Sequence, residues 1–153
     1  MRQAQQIAFL IPLAVGTCTI VATIVIHGLV LDATVKFVRR QRRLGRAGKH
    51  FWLDLPIIVL VISLALVAHL VEIGLWALLF MICGEFAAFG TAYYHSAVNY
   101  TTLGYGDVEM SPSWSLLSAL EAGDGMLMFG VSTAMIFAVI QRLLETRFAE
   151  LRR

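Results

Sequence analysis

The sequence predicts an all-α membrane protein with three membrane-spanning helices and a re-entrant segment between the second and the third. Three observations carry this. Hydrophobic residues make up 59% of the 153 and charged residues only 14%, against about 45–50% and about 25% in soluble domains, and the mean hydropathy is +0.78. Three apolar stretches are each long enough for the ~30 Å hydrocarbon core. Lys and Arg are concentrated between the first two of them. This composition excludes a soluble enzyme, a disordered chain and a nucleic-acid reader with a solvent-facing basic surface, so no nucleic acid is expected as a partner. Cys18 and Cys83 lie inside apolar stretches with no CxxC spacing and read as small buried hydrophobes.

The first span is Ile7 to Leu31, 25 residues without a Lys, Arg, Asp or Glu. At 1.5 Å per residue it reaches about 37 Å, too long for a signal peptide. Residues 1–31 are therefore assigned to an N-terminal transmembrane helix. Residues 32–54 hold Lys36, Arg39, Arg40, Arg42, Arg43, Arg46 and Lys49, seven of the twelve Lys and Arg in the chain. Between two spans, such a run reads as a cytoplasmic loop under the positive-inside rule, in contact with anionic lipid headgroups. The second span runs from Leu55 to about Cys83, with Pro56 in its first turn. The third runs from Trp114 to about Ile140 and leads into a basic tail with Arg142, Arg147, Arg152 and Arg153. Three spans then place the N-terminus outside and the C-terminus in the cytoplasm, in a cell inner membrane.

Ala87 to Ser113 is too polar to cross. Irregular backbone at membrane depth is tolerated only where protein buries it or where it lines a watery path. Its centre is Thr101-Thr102-Leu103-Gly104-Tyr105-Gly106-Asp107. Glycine admits positive φ cheaply, so Gly104 and Gly106, alternating with Leu103 and Tyr105, allow consecutive carbonyls to face one axis. Rings of such carbonyls replace the hydration shell of a cation, and Thr102 adds a hydroxyl oxygen. Residues from about Thr91 to Thr101 form a short helix whose negative C-terminal end favours a cation.

The string T-T-L-G-Y-G-D resembles the potassium-channel signature, and the chain is most similar to small prokaryotic potassium channels built on a two-helix pore module. The resemblance covers residues 55–144 as outer helix, re-entrant pore helix, selectivity-filter loop and inner helix, with 145–153 a short cytoplasmic tail. It implies a homotetrameric pore that conducts K⁺ passively, with K⁺ as permeant ion, no cofactor and no enzymatic activity. By position, Thr102, Leu103, Gly104, Tyr105 and Gly106 correspond to the ion-coordinating filter, and Thr101 and Asp107 flank it as support. Tyr94 and His95 stand where the family often has paired tryptophans, and Val98 where some relatives carry a glutamate. Gly125 and Gly130, in Gly-Met-Leu-Met-Phe-Gly, correspond to a gating hinge.

Four ionisable groups fall at membrane depth: His69 and Glu72 on the second span, and Glu121 and Asp124 on the third. Such groups face protein or water by default. His69 and Glu72, i and i+3, could form half a metal site, but no further ligand stands at matching spacing, and they are expected to pair with each other or with the pore helix. Glu121 is expected at a subunit contact, and Asp124, between Gly123 and Gly125, is the candidate cavity acid, with a carboxyl hydrogen-bonded to a neighbouring helix as the equally weighted alternative. No span carries an Arg every third residue, so no voltage-sensor helix is expected. The alternatives are a weakly selective cation channel or, further off, a potassium transporter subunit. A membrane enzyme is set aside because Ser96 and Cys83 have no His-Asp or metal constellation near them in sequence.

Overall fold

The computed structural model describes residues 2–48 and 51–151. Its elements are α1 (Arg2–Arg43), α2 (Phe51–Ile82), α3 (Phe89–Tyr100) and α4 (Ser115–Leu151), with no strand among the described residues. Three helices are long and apolar enough to cross a membrane, over Phe9–Arg43, Phe51–Ile82 and Ser115–Ala149. The chain is an all-α, multi-pass membrane protein.

Both long helices that precede α3 end on a glycine. Arg46 N–H donates to the Gln41 carbonyl and Gly45 N–H to Arg42, while Glu85 N–H donates to Phe80 and Gly84 N–H to Met81. These are Schellman closures, with φ of 66° at Gly45 and 80° at Gly84, and they satisfy carbonyls that the helix itself leaves open.

Three sequence expectations change in detail. The basic segment 32–54, expected as a loop, is helical as far as Arg43. Lys and Arg are good helix formers, and Arg40, Arg42 and Arg43 in the last turn suit the negative helix end, so nothing stops α1 before Gly45. Pro56 lies in the interior of α2 and not in its first turn, because the described helix begins at Phe51. The tail from Gln141 continues α4 as helix to Leu151. Lys49, Arg152 and Arg153 lie outside the described residues.

The chain divides into two compact units, Met1–Ile26 with His69–Met128, and His27–Ala68 with Phe129–Arg153. Each long helix contributes to both units. The core of the first unit is Ile73, Trp76, Phe80, Tyr100, Leu117 and Met128. Aromatic rings dominate it, with Phe80 set edge-on to His95 at 5.5 Å. The second unit is centred on Val38, Ile57, Val61, Ala65, Met135, Val139 and Leu143. An ion pair between a half-buried arginine and a buried aspartate closes it: Arg147 Nη2 stands 2.5 Å from Asp54 Oδ2, and Asp54 Oδ1 accepts from the Gly48 N–H at 2.6 Å. Asp54 lies in the first turn of α2, where a negative charge also favours the helix N-terminus.

Candidate functional site

The loop after α3 leaves the helix under tight backbone control. Thr101 N–H donates to the Ala97 carbonyl, Thr102 N–H to Asn99, and both Leu103 and Gly104 N–H groups reach the Val98 carbonyl, at 2.9 and 3.2 Å. The last carbonyls of α3 are thus met by the first amides of the loop. From there φ alternates in sign: it is 59° at Thr102, 59° at Gly104 and 70° at Gly106, with Leu103 and Tyr105 on the negative side. A change of hand at every second residue is what a row of co-directed carbonyls requires. Glycine supplies it at two positions. Thr102 adopts it without that freedom, held by its 2.8 Å amide bond to Asn99. The whole stretch Thr101–Asp107 is exposed in the single chain.

The far end of the loop is fastened by Tyr94 and His95, the two residues noted above in place of tryptophans. Tyr94 donates its hydroxyl to Asp107 Oδ2 at 2.8 Å, and this bond to a carboxylate raises the Tyr94 pKa, keeping the phenol a donor. His95 Nδ1 meets the Val108 carbonyl at 2.8 Å, so the proton sits on Nδ1. Its Nε2 accepts from Asn99 Nδ2 at 2.8 Å, with the Ser118 hydroxyl at 3.3 Å. Val98, at the position where some relatives carry a glutamate, is buried and contributes its carbonyl. Glu85, unremarked in the sequence, holds the far side of the loop by taking both the amide (2.6 Å) and the hydroxyl (2.7 Å) of Ser111.

His95 carries a pH prediction. Burial lowers its pKa below the usual 6.5, partly offset by the Val108 bond and by the charge of Asp107. A depressed folded value means the neutral ring stabilises the fold above about pH 6.5, and that contribution is lost as pH falls through the folded value. A second proton on Nε2 would face the Asn99 amide donor-to-donor. Thermal unfolding of the purified chain is expected to lose stability between pH 7.5 and 5.5, and His95→Gln to flatten that slope. The same slope in both proteins would remove His95 as its source.

Behind the loop, the ionisable groups at membrane depth are buried within the chain. Tyr100 donates to Glu72 Oε2 at 2.5 Å, and His69 Nδ1 lies 3.3 Å from the same oxygen and 3.2 Å from the Tyr100 hydroxyl. His69 and Glu72 thus pair both with each other and with α3. Glu121 is corrected from a subunit contact to a contact inside the chain. It is fully buried and takes a short hydrogen bond from Ser96, whose hydroxyl also reaches the Ile73 carbonyl at 2.8 Å.

Asp124 is corrected from the cavity acid to a packing acid. It is 1% exposed, and it accepts from Trp76 Nε1 at 2.9 Å and from the Thr23 hydroxyl at 2.8 Å. The indole of α2 and the hydroxyl of α1 thus occupy the two carboxylate oxygens where open water was expected. Gly125, expected as a hinge, makes a close approach: a Cβ there would stand 2.0 Å from the Tyr100 carbonyl oxygen. Around Gly130 there is open space.

The family comparison fits this geometry. A family model described as ion channel matches residues 57–142, more than half of the chain. This chain belongs to the ion channel family. The matched segment contains α3, the alternating loop Thr102–Gly106 and the Tyr94 and His95 contacts. No curated protein and no solved structure gives a significant match.

Burial of Asp124 fixes what its replacement does to the channel. Asp124→Asn is expected to leave single-channel conductance unchanged at low salt, since the carboxylate does not reach the ion path. Asp124→Leu leaves the Trp76 N–H without its acceptor and is expected to cost about 1–3 kcal/mol, read as a lower thermal midpoint. A conductance that falls in Asp124→Asn would return this residue to the pore.

Proposed function

We propose that this ion channel is potassium-selective and conducts K⁺ passively through a pore formed by four copies of the chain. The observation that carries the reading is the alternation of φ along Thr102, Gly104 and Gly106 in an exposed loop pinned at both ends. Four such loops about an axis would offer rings of carbonyls to a dehydrated cation, with the Thr102 hydroxyl at the inner end. Each ion would exchange water oxygens for carbonyls of similar number and spacing, and repulsion between successive ions would keep them moving. Leu103 and Tyr105, more than half exposed in the single chain, and Met126 and Leu127 on α4 are the apolar surface that neighbouring copies would cover. The distribution of Lys and Arg supports an inner-membrane orientation with the N-terminus outside and the C-terminus in the cytoplasm.

The Tyr94–Asp107 and His95–Val108 bonds support a stiff filter and therefore selectivity over the weakly selective alternative. Reversal potentials of purified protein in planar bilayers, under asymmetric K⁺ and Na⁺, test this directly. A reversal potential close to the K⁺ equilibrium value is expected. One near zero would leave a cation channel without K⁺ preference, and no cation current would remove the pore reading altogether.

A further inference from the structure

In the second unit α1 and α4 enclose a groove of about 720 Å³ whose two walls change character in the same direction. On α1, Leu31, Val35 and Val38 are followed by Arg39 and Arg42; on α4, Val131 and Met135 are followed by Arg142. These spacings of three, four and seven keep the lining residues on one face of each helix. From Leu31 to Arg42 is eleven residues, about 16 Å of helix, and Val131 to Arg142 is the same. One end of the groove is therefore apolar and the other carries three guanidinium groups. The single acid in the lining, Asp32, sits at the apolar end and is taken by Lys36 at 2.5 Å. Arg142 is shared with Glu145 at 3.1 Å on the surface. Arg39 and Arg42 have no ion-pair partner among the described residues.

The apolar end begins where the uncharged stretch of α1 stops, so the groove opens beside the hydrocarbon and runs toward the headgroups. Its length suits a phosphoglycerol head with the first methylenes of a chain, and paired guanidiniums suit phosphate oxygens. We propose that this groove binds one anionic phospholipid per chain, its phosphate held by Arg39, Arg42 and Arg142 and an acyl chain lying along Val35 and Met135. The general attraction of a basic segment for anionic lipid thereby becomes a defined site with an apolar floor. The proposal stands independently of K⁺ selectivity.

Titration of the purified full chain in detergent with phosphatidylglycerol or phosphatidylcholine, followed by native mass spectrometry, tests it. One phosphatidylglycerol per chain is expected, with phosphatidylcholine at least tenfold weaker. Arg39→Gln with Arg42→Gln should erase that preference. Arg40→Gln with Arg43→Gln removes the same charge from residues outside the groove and should keep it. Val35→Trp fills the apolar end with every charge intact and should release the lipid. Equal loss in the two double variants would reduce the effect to diffuse charge and overturn the site, as would retention in Val35→Trp. Binding of inorganic phosphate as tight as that of the lipid would also overturn it, by making the groove an anion site.

Discussion

Replacing Gly104 with alanine is expected to lower the K⁺/Na⁺ permeability ratio at least tenfold while leaving the fold of the single chain intact. The reason is conformational. A Cβ at this position would meet nothing within 4 Å in its own chain, but φ is +59°. An L-residue held there costs about 1–2 kcal/mol, and in the proposed pore of four copies each carbonyl ring would bear that cost four times. Relaxation to negative φ would break the alternation that runs through Thr102, Gly104 and Gly106 and turn a carbonyl away from the axis. Helix content and thermal midpoint serve as controls and should stay near those of the unmodified chain. An unchanged permeability ratio in assembled Gly104→Ala channels would remove Thr102–Gly106 from the ion path.

Gly125→Ala is expected to produce the largest loss of stability of any single methyl addition in α4. Its Cβ would fall 2.0 Å from the Tyr100 carbonyl oxygen, 2.9 Å from the carbonyl carbon and 3.1 Å from the ring Cγ. Two of these atoms are backbone at the end of α3, so no side-chain rotation relieves the clash. The helix must move as a whole and take the attached loop with it. Overpacking of this kind costs about 3 kcal/mol, and the thermal midpoint should fall accordingly, with fewer assembled channels on detergent gels. Gly123→Ala and Gly130→Ala, where nothing stands within 4 Å, should be neutral or slightly stabilising, since alanine is the better helix former by about 1 kcal/mol. A Gly125→Ala protein of normal stability with altered open probability would instead support a hinge at this residue.

The three spans and the re-entrant helix are legible from composition, because a membrane demands long uncharged stretches and closes off other backbone arrangements. The alternation at Thr102, Gly104 and Gly106 is partly legible because two of its three positions are glycines, whose spacing only the backbone can use. Element ends were harder: nothing in Asp32–Lys36 marks a membrane boundary as a helix boundary, and α1 continues until Gly45 permits a turn. Between a cavity position and a bond to a neighbouring helix, the sequence leaves Asp124 undecided. Its partners lie 48 residues away at Trp76 and 101 residues away at Thr23, and a carboxylate between two glycines gives no local sign of what fills the space beside it. Likewise the positive φ of Thr102 depends on its bond to Asn99 and has no glycine to announce it.

The Thr23–Asp124 bond bears on modularity. The family match begins at residue 57, well beyond α1, which invites treating the remaining helices as a portable core to be excised or grafted. In this chain that cut would take the Thr23 hydroxyl from the Asp124 carboxylate and leave it the Trp76 N–H, at a depth where an under-solvated acid is costly. It would also strip Leu120 and Leu117 of the helix that meets them at Gly16, where even a single methyl would touch both. The first helix is thus part of the solvent for α4, and a version of this channel without α1 is expected to be the less stable one until Asp124 is replaced by a neutral residue.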